Sequence, residues 1–300
     1  MESSVYQVIT DRIIGLLEKG VVPWNRPWQG GEQAPQNLIS RKPYRGVNVF
    51  LLNAMHYASP FWLTYRQAVE LGGHVRKNER ACPVVFWRWL DVEDTATAEQ
   101  RRIPLLRYYS VFSVTQCEDI PADKIPALDG SKRQHSPIEE AERIVAGMPQ
   151  RPEIKHGMAR AFYSPAGDFV GMPSPEQFKT GEDYYATLAH ELTHSTGHAS
   201  RLNRKGISGS DGQWSSFGSD SYSREELCAE MGSAFLCAEA GIVERTINNS
   251  ASYISGWLER LRNDNRLVVQ AAAQAQHAAE FILNRRAAAG NEVQPEAMAA

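Results

Sequence analysis

The segment His190–His194, which reads H-E-L-T-H, constrains this chain more than any other because it matches the pattern H-E-x-x-H. Two histidines four residues apart lie on one face of a helix, so their imidazoles can occupy two positions of one tetrahedral metal site. Glu191 lies about 100° around the helix from His190, beside a water that the metal activates, where it can act as a general base. The segment therefore predicts a helix over residues 182–196 and a metal-dependent hydrolase site. A pair of surface histidines is the alternative interpretation.

The third metal ligand is expected in the acidic segment that begins at residue 225. Glu226 and Glu230 share one helix face with small side chains, which would let a second helix approach closely. These small side chains are Ala229, Ser233 and Cys237. We predict Glu226 as the ligand and Glu230 as the carboxylate that holds a ligand histidine from behind, and the reverse assignment stays open. Glu225 lies about 100° away and is expected to be solvated or to pair with a cation.

His198 is a second alternative ligand. Gly197 lies where metzincins have a glycine turn, but their third histidine would fall at position 200, which is Ser200 here. Two histidines and one carboxylate give a site of the zincin type, for which zinc is the expected ion. Manganese and cobalt are accepted by the same ligand set.

A hairpin is expected over residues 161–172, directly before the metal-binding helix. In zincins, an edge strand beside the metal commonly holds substrate in an extended form by strand addition. The hairpin could supply that strand, and a plain structural hairpin is the alternative.

The N-terminal third interleaves basic and aromatic side chains. Residues 26–88 contain nine Lys or Arg and three Asp or Glu, a local balance of +6. Cations neutralise phosphates and exposed rings stack on bases, so this mixture suits single-stranded nucleic acid. A solvated basic face is the alternative, and many of the rings should be core in a domain of this size. The predicted contact residues are Trp24, Arg26, Trp28, Arg41, Lys42, Tyr44, Arg45, Arg66, Arg76 and Lys77.

Several long segments resemble ArdC-type antirestriction proteins. The segments similar to the N-terminal domain of that family are residues 23–28, 43–48, 62–68, 71–77 and 109–117. The segments His190–His194 and Glu226–Glu230 resemble the zincin-like domain attached to it, so the resemblance spans residues 5 to 285. One departure is Asn78, where many relatives have glycine. The resemblance implies a plasmid-borne or mobile-element protein that binds single-stranded DNA and protects incoming DNA from host restriction during conjugation.

Composition and segment boundaries indicate an α+β chain of two domains. Hydrophobic residues make up 42% and charged residues 22%, as in ordinary globular proteins. We expect a single-stranded DNA-binding domain over residues 1–125, a linker over 126–135 and a zincin-like metallopeptidase domain over 136–287. A disordered tail is expected over 288–300. Local patterns further predict a strand over 44–52 and helices over 224–239 and 251–285.

The remaining patterns exclude several classes of protein. The four cysteines form no C-x-x-C pair, which argues against a cysteine zinc site and a disulfide framework. Charged residues interrupt the N-terminal apolar stretch, and no run of about 18 apolar residues occurs. We therefore expect no signal peptide, no membrane partner and a cytoplasmic location, with transfer into recipient cells as an extension.

Two functions remain open on the sequence. The first is an antirestriction protein that coats single-stranded DNA and whose metal site is dispensable for protection. The alternative is a metalloprotease that cleaves an unidentified host protein and uses DNA binding for delivery or localisation. A nuclease is disfavoured, because nucleases favour carboxylate-rich sites that often hold two metals.

Overall fold

The computed structural model describes residues 4–24, 34–93, 100–127, 136–204, 207, 220–242 and 251–285. They fall into two compact units, divided in the sequence after residues 11, 29 and 130. Residues 12–29 belong with the second unit, although the sequence-based division gives them to the N-terminal domain. The predicted tail, and the predicted linker beyond residue 127, lie outside the described residues.

The first unit is built on a four-stranded sheet. Helix α1 (Val5–Leu17) runs across the division after residue 11. The elements of the first unit that follow are β1 (Gln36–Asn37), α2 (Val47–Asn53), β2 (Phe61–Leu63), α3 (Tyr65–Glu70), β3 (His74–Val75), β4 (Cys82–Glu93), β5 (Gln100–Ser113) and β6 (Cys117–Glu118). The strand order is β1-β2-β5-β4, with β1 parallel to β2 and the other pairs antiparallel. Strands β3 and β6 form a separate antiparallel pair. The long strands β4 and β5 therefore form a hairpin with β4 at the sheet edge.

The predicted strand over 44–52 is wrong, because this segment forms helix α2. Val47, Phe50 and Leu51 are buried, as expected for one face of a helix. Asn48 then pairs with the edge of β4: its Nδ2 donates to the Val85 carbonyl at 2.7 Å, and its Oδ1 accepts from the Val85 N–H at 2.7 Å. The side-chain amide thus occupies the place of a neighbouring strand.

Asn78 occupies a turn with a φ of 68°. Glycine adopts this left-handed conformation without strain, and asparagine tolerates it better than most residues. Asparagine can therefore form this turn in place of the glycine that many relatives have.

The second unit combines helices with a small sheet. Its elements are α4 (Pro137–Gly147), β7 (Glu153–Lys155), β8 (Phe162–Ser164), β9 (Phe169–Gly171), α5 (Gly181–Ser195), α6 (Asp220–Ala240), α7 (Ala251–Asn263) and α8 (Leu267–Ile282). The strand order is β7-β9-β8, with β8 and β9 antiparallel. The predicted hairpin and the predicted helix over 182–196 are confirmed, and β8 is an edge strand.

The core of the second unit lies between α5, α8 and the sheet. Leu188 and Leu192 of α5 pack in one cluster with Met172 and with Ala279 and Ile282 of α8. Helices fill the predicted range 251–285: α7 ends at Asn263 and α8 begins at Leu267, and between them the Asp264 side chain accepts from the Arg266 N–H at 2.9 Å. No helix among the described residues has the length and apolar character needed to cross a membrane.

Candidate functional site

Helix α5 carries both histidines of the H-E-x-x-H motif. Thr180 caps its start, since the Thr180 Oγ1 accepts from the Asp183 N–H at 3.1 Å. Leu188 and Leu192 fix the buried face of the helix. His190 and His194 lie one turn apart, and their Nε2 atoms are 3.1 Å apart.

Helix α6 lies close against α5 because Gly232 has no side chain. A Cβ atom at Gly232 would collide with Thr193 Cγ2 and lie 2.7 Å from Thr193 Oγ1. Ser233 Oγ donates to the Ala186 carbonyl at 2.9 Å, which joins the two helices a second time. Small residues were predicted on α6 from the sequence, but Gly232 was not among them. Its position six residues after Glu226, inside a predicted helix, was the available signal.

This close approach brings Glu226 to the two histidines. Glu226 Oε2 lies 3.8 Å from His190 Nε2, and Glu226 Oε1 lies 3.6 Å from His194 Nε2. The ligand atoms of the three residues all lie within 4.8 Å of one another, and within the part of the chain that the structure describes no other cluster could hold a metal. Two ligand atoms bound to one tetrahedral ion at about 2.05 Å are about 3.3 Å apart. The three side chains therefore fit a single divalent ion.

The protonation of His190 suits metal binding. Burial, followed by the nearby His194, lowers the pKa of His190 to about 3. Its imidazole is therefore neutral at pH 7, and a nitrogen lone pair is available for a metal.

Glu191 lies beside the cluster. Burial raises the pKa of Glu191 above its usual value, the charge of Glu226 adds to this, and His194 and a hydrogen bond from the Tyr163 backbone N–H oppose it. A carboxylate with a raised pKa next to the ligands is suited to accept a proton at neutral pH.

A buried carboxylate supports His194 from behind. His194 Nδ1 lies 3.2 Å from Glu225 Oε1, and Arg204 Nε donates to Glu225 Oε2 at 3.0 Å. Arg204 also donates to the Thr193 carbonyl at 2.8 Å, at the end of α5. Burial raises the pKa of Glu225, but the charge of Arg204 and hydrogen bonds from both partners outweigh it, so the pKa lies below its usual value. Glu225 thus remains an anion and orients Nε2 of His194 toward Glu226.

The structure corrects the expected roles of Glu225 and Glu230. Glu225 is 5% exposed rather than solvated, although it does pair with a cation. Glu230 accepts from the Tyr253 hydroxyl at 2.9 Å, and the carboxylate behind His194 is Glu225 rather than Glu230. A helical wheel of α6 could not predict the role of Glu225, because its partner Arg204 lies outside that helix.

His198 also lies apart from the cluster. Its Nδ1 is 2.8 Å from Ser200 Oγ. Neither His198 nor Glu230 belongs to the metal-ligating group of the described residues.

The edge strand β8 is fixed beside Glu191. The Tyr163 hydroxyl donates to Asp168 Oδ1 at 2.8 Å, and Asp168 forms an ion pair with Arg201. Arg201 Nε donates to the Ser195 carbonyl at 2.7 Å. These bonds join the β8–β9 hairpin to the end of the helix that carries the histidines.

Two aromatic residues predicted to contact nucleic acid are buried. Trp24 is 1% exposed; its ring lies edge-on to Trp257 at 6.1 Å, and its Nε1 donates to the Tyr253 hydroxyl at 3.2 Å. Tyr44 is 8% exposed. Both predictions are wrong, because a buried ring offers no face to a base. Arg26 and Trp28 lie outside the described residues.

The predicted basic residues of the first unit lie at its surface. Arg41, Lys42, Arg45, Arg66 and Lys77 are exposed, and Arg76 is partly exposed. Two of these charges are paired: Arg66 with Glu70 and Arg76 with Glu79, each at 2.7 Å.

Two exposed rings of the first unit are not among the contact residues predicted from the sequence. Trp87 is 41% exposed and Tyr108 is 47% exposed. In each strand the side chains alternate between two faces. This alternation places Trp87 on the other face of β4 from the buried Val84. That pattern was the signal that could have found it.

Comparisons with known protein families match both halves of the chain. Residues 3–112 match the N-terminal domain of the anti-restriction factor ArdC, and residues 139–274 match a zincin-like metallopeptidase domain. The DNA primase TraC of Escherichia coli is 34% identical over 295 residues, which is 93% of this chain and 27% of TraC. The chain therefore spans about a quarter of that relative. The uncharacterized protein y4eC of Sinorhizobium fredii is 37% identical, over 93% of this chain and 92% of y4eC.

Solved structures of the antirestriction protein ArdC from the R388 plasmid share this fold. The metal-free structure is 37% identical with a TM-score of 0.72, and covers 95% of this chain and 100% of that one. The Mn(II)-bound structure is 36% identical with a TM-score of 0.71, and covers 96% and 100%. The predicted resemblance and the α+β fold of two domains are confirmed. This chain belongs to the ArdC family of antirestriction proteins, with an N-terminal ArdC domain followed by a zincin-like metallopeptidase domain.

Proposed function

We propose that this protein coats single-stranded DNA and so protects incoming conjugative DNA from host restriction in the cytoplasm, and that its second domain holds one divalent ion. The convergence of His190, His194 and Glu226 beside Glu191 carries the metal part of the proposal. The DNA part is supported by membership of the ArdC family and by the exposed basic residues of the first unit. The proposed domain limits along the sequence are 1–125 and 136–287, with residues 12–29 packing in the second unit.

The ligand set supports a hydrolase site. Two imidazoles and one carboxylate leave a fourth position open, as in catalytic zinc sites. Zinc is the proposed ion, while manganese and cobalt suit the same ligands; the R388 relative was solved with Mn(II). A bound ion would polarise a carbonyl oxygen and make a water more acidic. Glu191 would take the proton of that water, and β8 would pair with an extended peptide.

The alternative function is cleavage of a host protein, with DNA binding used for delivery. The position of Glu191 beside the three ligand side chains favours it, since a general base is of no use to a structural metal site. We nevertheless favour coating, because a shield bound to DNA needs no particular host target.

The metal proposal is tested by elemental analysis. Replacing His190 and His194 together with alanine should abolish stoichiometric metal, and Glu226→Ala should weaken its binding. Full metal occupancy in the double histidine variant would contradict the assignment of His190 and His194 as ligands. Unchanged affinity in Glu226→Ala alone would move the third ligand elsewhere.

Glu191→Gln separates coating from cleavage. Glu191 is not a ligand in this proposal, so the variant should keep its metal and its DNA binding while losing any peptide cleavage. Protection in a conjugation assay into a restricting recipient should equal that of the parent protein. Loss of protection in a variant that still binds metal and DNA would make hydrolysis the working activity.

A further inference from the structure

The aromatic residues of the first unit divide into buried and exposed sets. Phe50, Phe61 and Trp62 are at most 4% exposed, and Tyr44 is 8% exposed. Tyr65, Trp87 and Tyr108 are 60%, 41% and 47% exposed. Among the aromatic residues whose side chains the structure describes, these three expose the most ring surface to a partner.

Trp87 and Tyr108 lie on the same face of the β4–β5 hairpin. Val85 is opposite Tyr108 and Trp87 is opposite Leu106 in the strand register, and directly opposed residues of an antiparallel pair share a face. Trp87 and Tyr108 are therefore diagonal neighbours across the two strands. The other face carries Val84, which is fully buried.

The part of this face that lies in segments 82–87 and 105–113 carries no charged side chain. The one charged residue of these segments is Arg107, and the strand register places it opposite Phe86, on the other face of the hairpin. Phosphates passing over these positions therefore meet no like charge, and the rings contribute by stacking. Tyr65 differs, because Glu70 lies on the same short helix and pairs with the neighbouring Arg66.

The edge of β4 is less suited to pairing with a second copy of the chain. Asn48 already occupies both backbone hydrogen-bonding groups of Val85 at that edge. An added strand would have to displace this side chain.

We propose that the bases of single-stranded DNA stack on Trp87 and Tyr108, on the face of the β4–β5 hairpin that carries both rings. This inference rests on the proposed DNA binding and names its surface. It replaces Trp24 and Tyr44 as stacking residues. Flat rings on a sheet face accept any base, so binding there should show little sequence preference.

The experiment measures binding of the full-length protein to a fluorescein-labelled oligothymidylate by anisotropy. Trp87→Ala and Tyr108→Ala should each weaken binding about tenfold, the usual effect of removing one stacked ring. Trp87→Phe and Tyr108→Phe keep a ring face and should retain most of the affinity. Tyr65→Ala is the matched control, an exposed tyrosine outside the hairpin, and should bind as the parent does.

The salt dependence separates stacking from phosphate contacts. The ring variants should lose affinity at every salt concentration without changing the slope of log affinity against log salt, since they release no fewer counterions. A change in this slope in the ring variants would overturn the stacking assignment, because it would mean that the substitutions alter phosphate contacts.

The outcomes distinguish this surface from the proposed function. A parent protein that does not bind the oligonucleotide would reject DNA binding itself, and the surface with it. A parent that binds, with a Trp87→Ala, Tyr108→Ala double variant of equal affinity, would reject the surface alone. An equal loss of DNA affinity in Tyr65→Ala would also reject the surface. So would a double variant that keeps its DNA affinity but no longer self-associates.

Discussion

At the scale of single residues, the metal site depends on which carboxylate faces which histidine. Glu225 and Glu226 are adjacent in the sequence but have different surroundings. Glu226 reaches the Nε2 atoms of both histidines, whereas Glu225 reaches Nδ1 of His194 and the guanidinium of Arg204. One carboxylate is therefore placed to ligate a metal and the other to position a ligand.

We predict that Glu225→Gln weakens zinc affinity about 10- to 100-fold, the usual effect of removing a partner behind a ligand histidine. The neutral amide would hold His194 less firmly. Competition with a chromophoric chelator measures the affinity. Circular dichroism controls for unfolding, because Arg204 would lose its buried counter-charge.

Glu230→Gln is the matched control for this prediction. Glu230 lies on the same helix but accepts from Tyr253, so zinc affinity should not change. The reverse pattern, with Glu230→Gln impaired and Glu225→Gln normal, would restore the role that the sequence analysis gave to Glu230.

At the scale of elements, the contact between α5 and α6 decides whether a site exists. The two helices are far apart in the sequence, and their ligands converge only because the backbones approach at Gly232 and Thr193. The bond from Ser233 to the Ala186 carbonyl fixes the same contact. The site is thus a property of the helix pair.

Gly232→Ala should separate these helices. The added methyl group would collide with Thr193, and overpacking of this kind costs about 1–3 kcal/mol. Both the unfolding temperature and zinc affinity should fall, since Glu226 would move away from the histidines.

Two further variants check that the collision is the cause. Thr193→Ala in the Gly232→Ala background should restore part of both properties. Gly147→Ala, at a helical glycine with open space around it, should affect neither. A Gly232→Ala protein as stable and as tightly metal-binding as the parent would contradict the close-contact argument.

At the scale of the whole molecule, the division into units does not follow a single cut in the chain. Residues 12–29 belong with residues from 131 onward. Trp24 shows the consequence, since it packs against Trp257 and bonds to Tyr253, which in turn bonds to Glu230. A residue from the N-terminal segment therefore belongs to the core of the unit that carries the metal ligands.

Trp24→Ala should accordingly destabilise the second unit by about 3–5 kcal/mol, as other buried Trp-to-Ala changes do. Urea unfolding followed by circular dichroism measures this loss. At temperatures where the variant remains folded, its affinity for single-stranded DNA should match the parent. Normal stability with weakened DNA binding would instead support the stacking role first predicted for Trp24.

The sequence by itself determined the features that depend on local spacing. The histidine pair needs only helical periodicity, and the capping of α4 needs only Ser136, Pro137 and Glu139, so both were predictable. The long family motifs likewise sufficed to identify the two domains.

Only the tertiary structure decided which side chains are buried and which distant groups meet. Trp24 and Trp87 both lie among basic residues in the sequence, yet one is core and the other exposed. The Asn48 pairing with β4 and the Arg204 pairing with Glu225 join residues from separate segments. Burial and such contacts depend on how elements pack against one another, and no local pattern of residues carries that information.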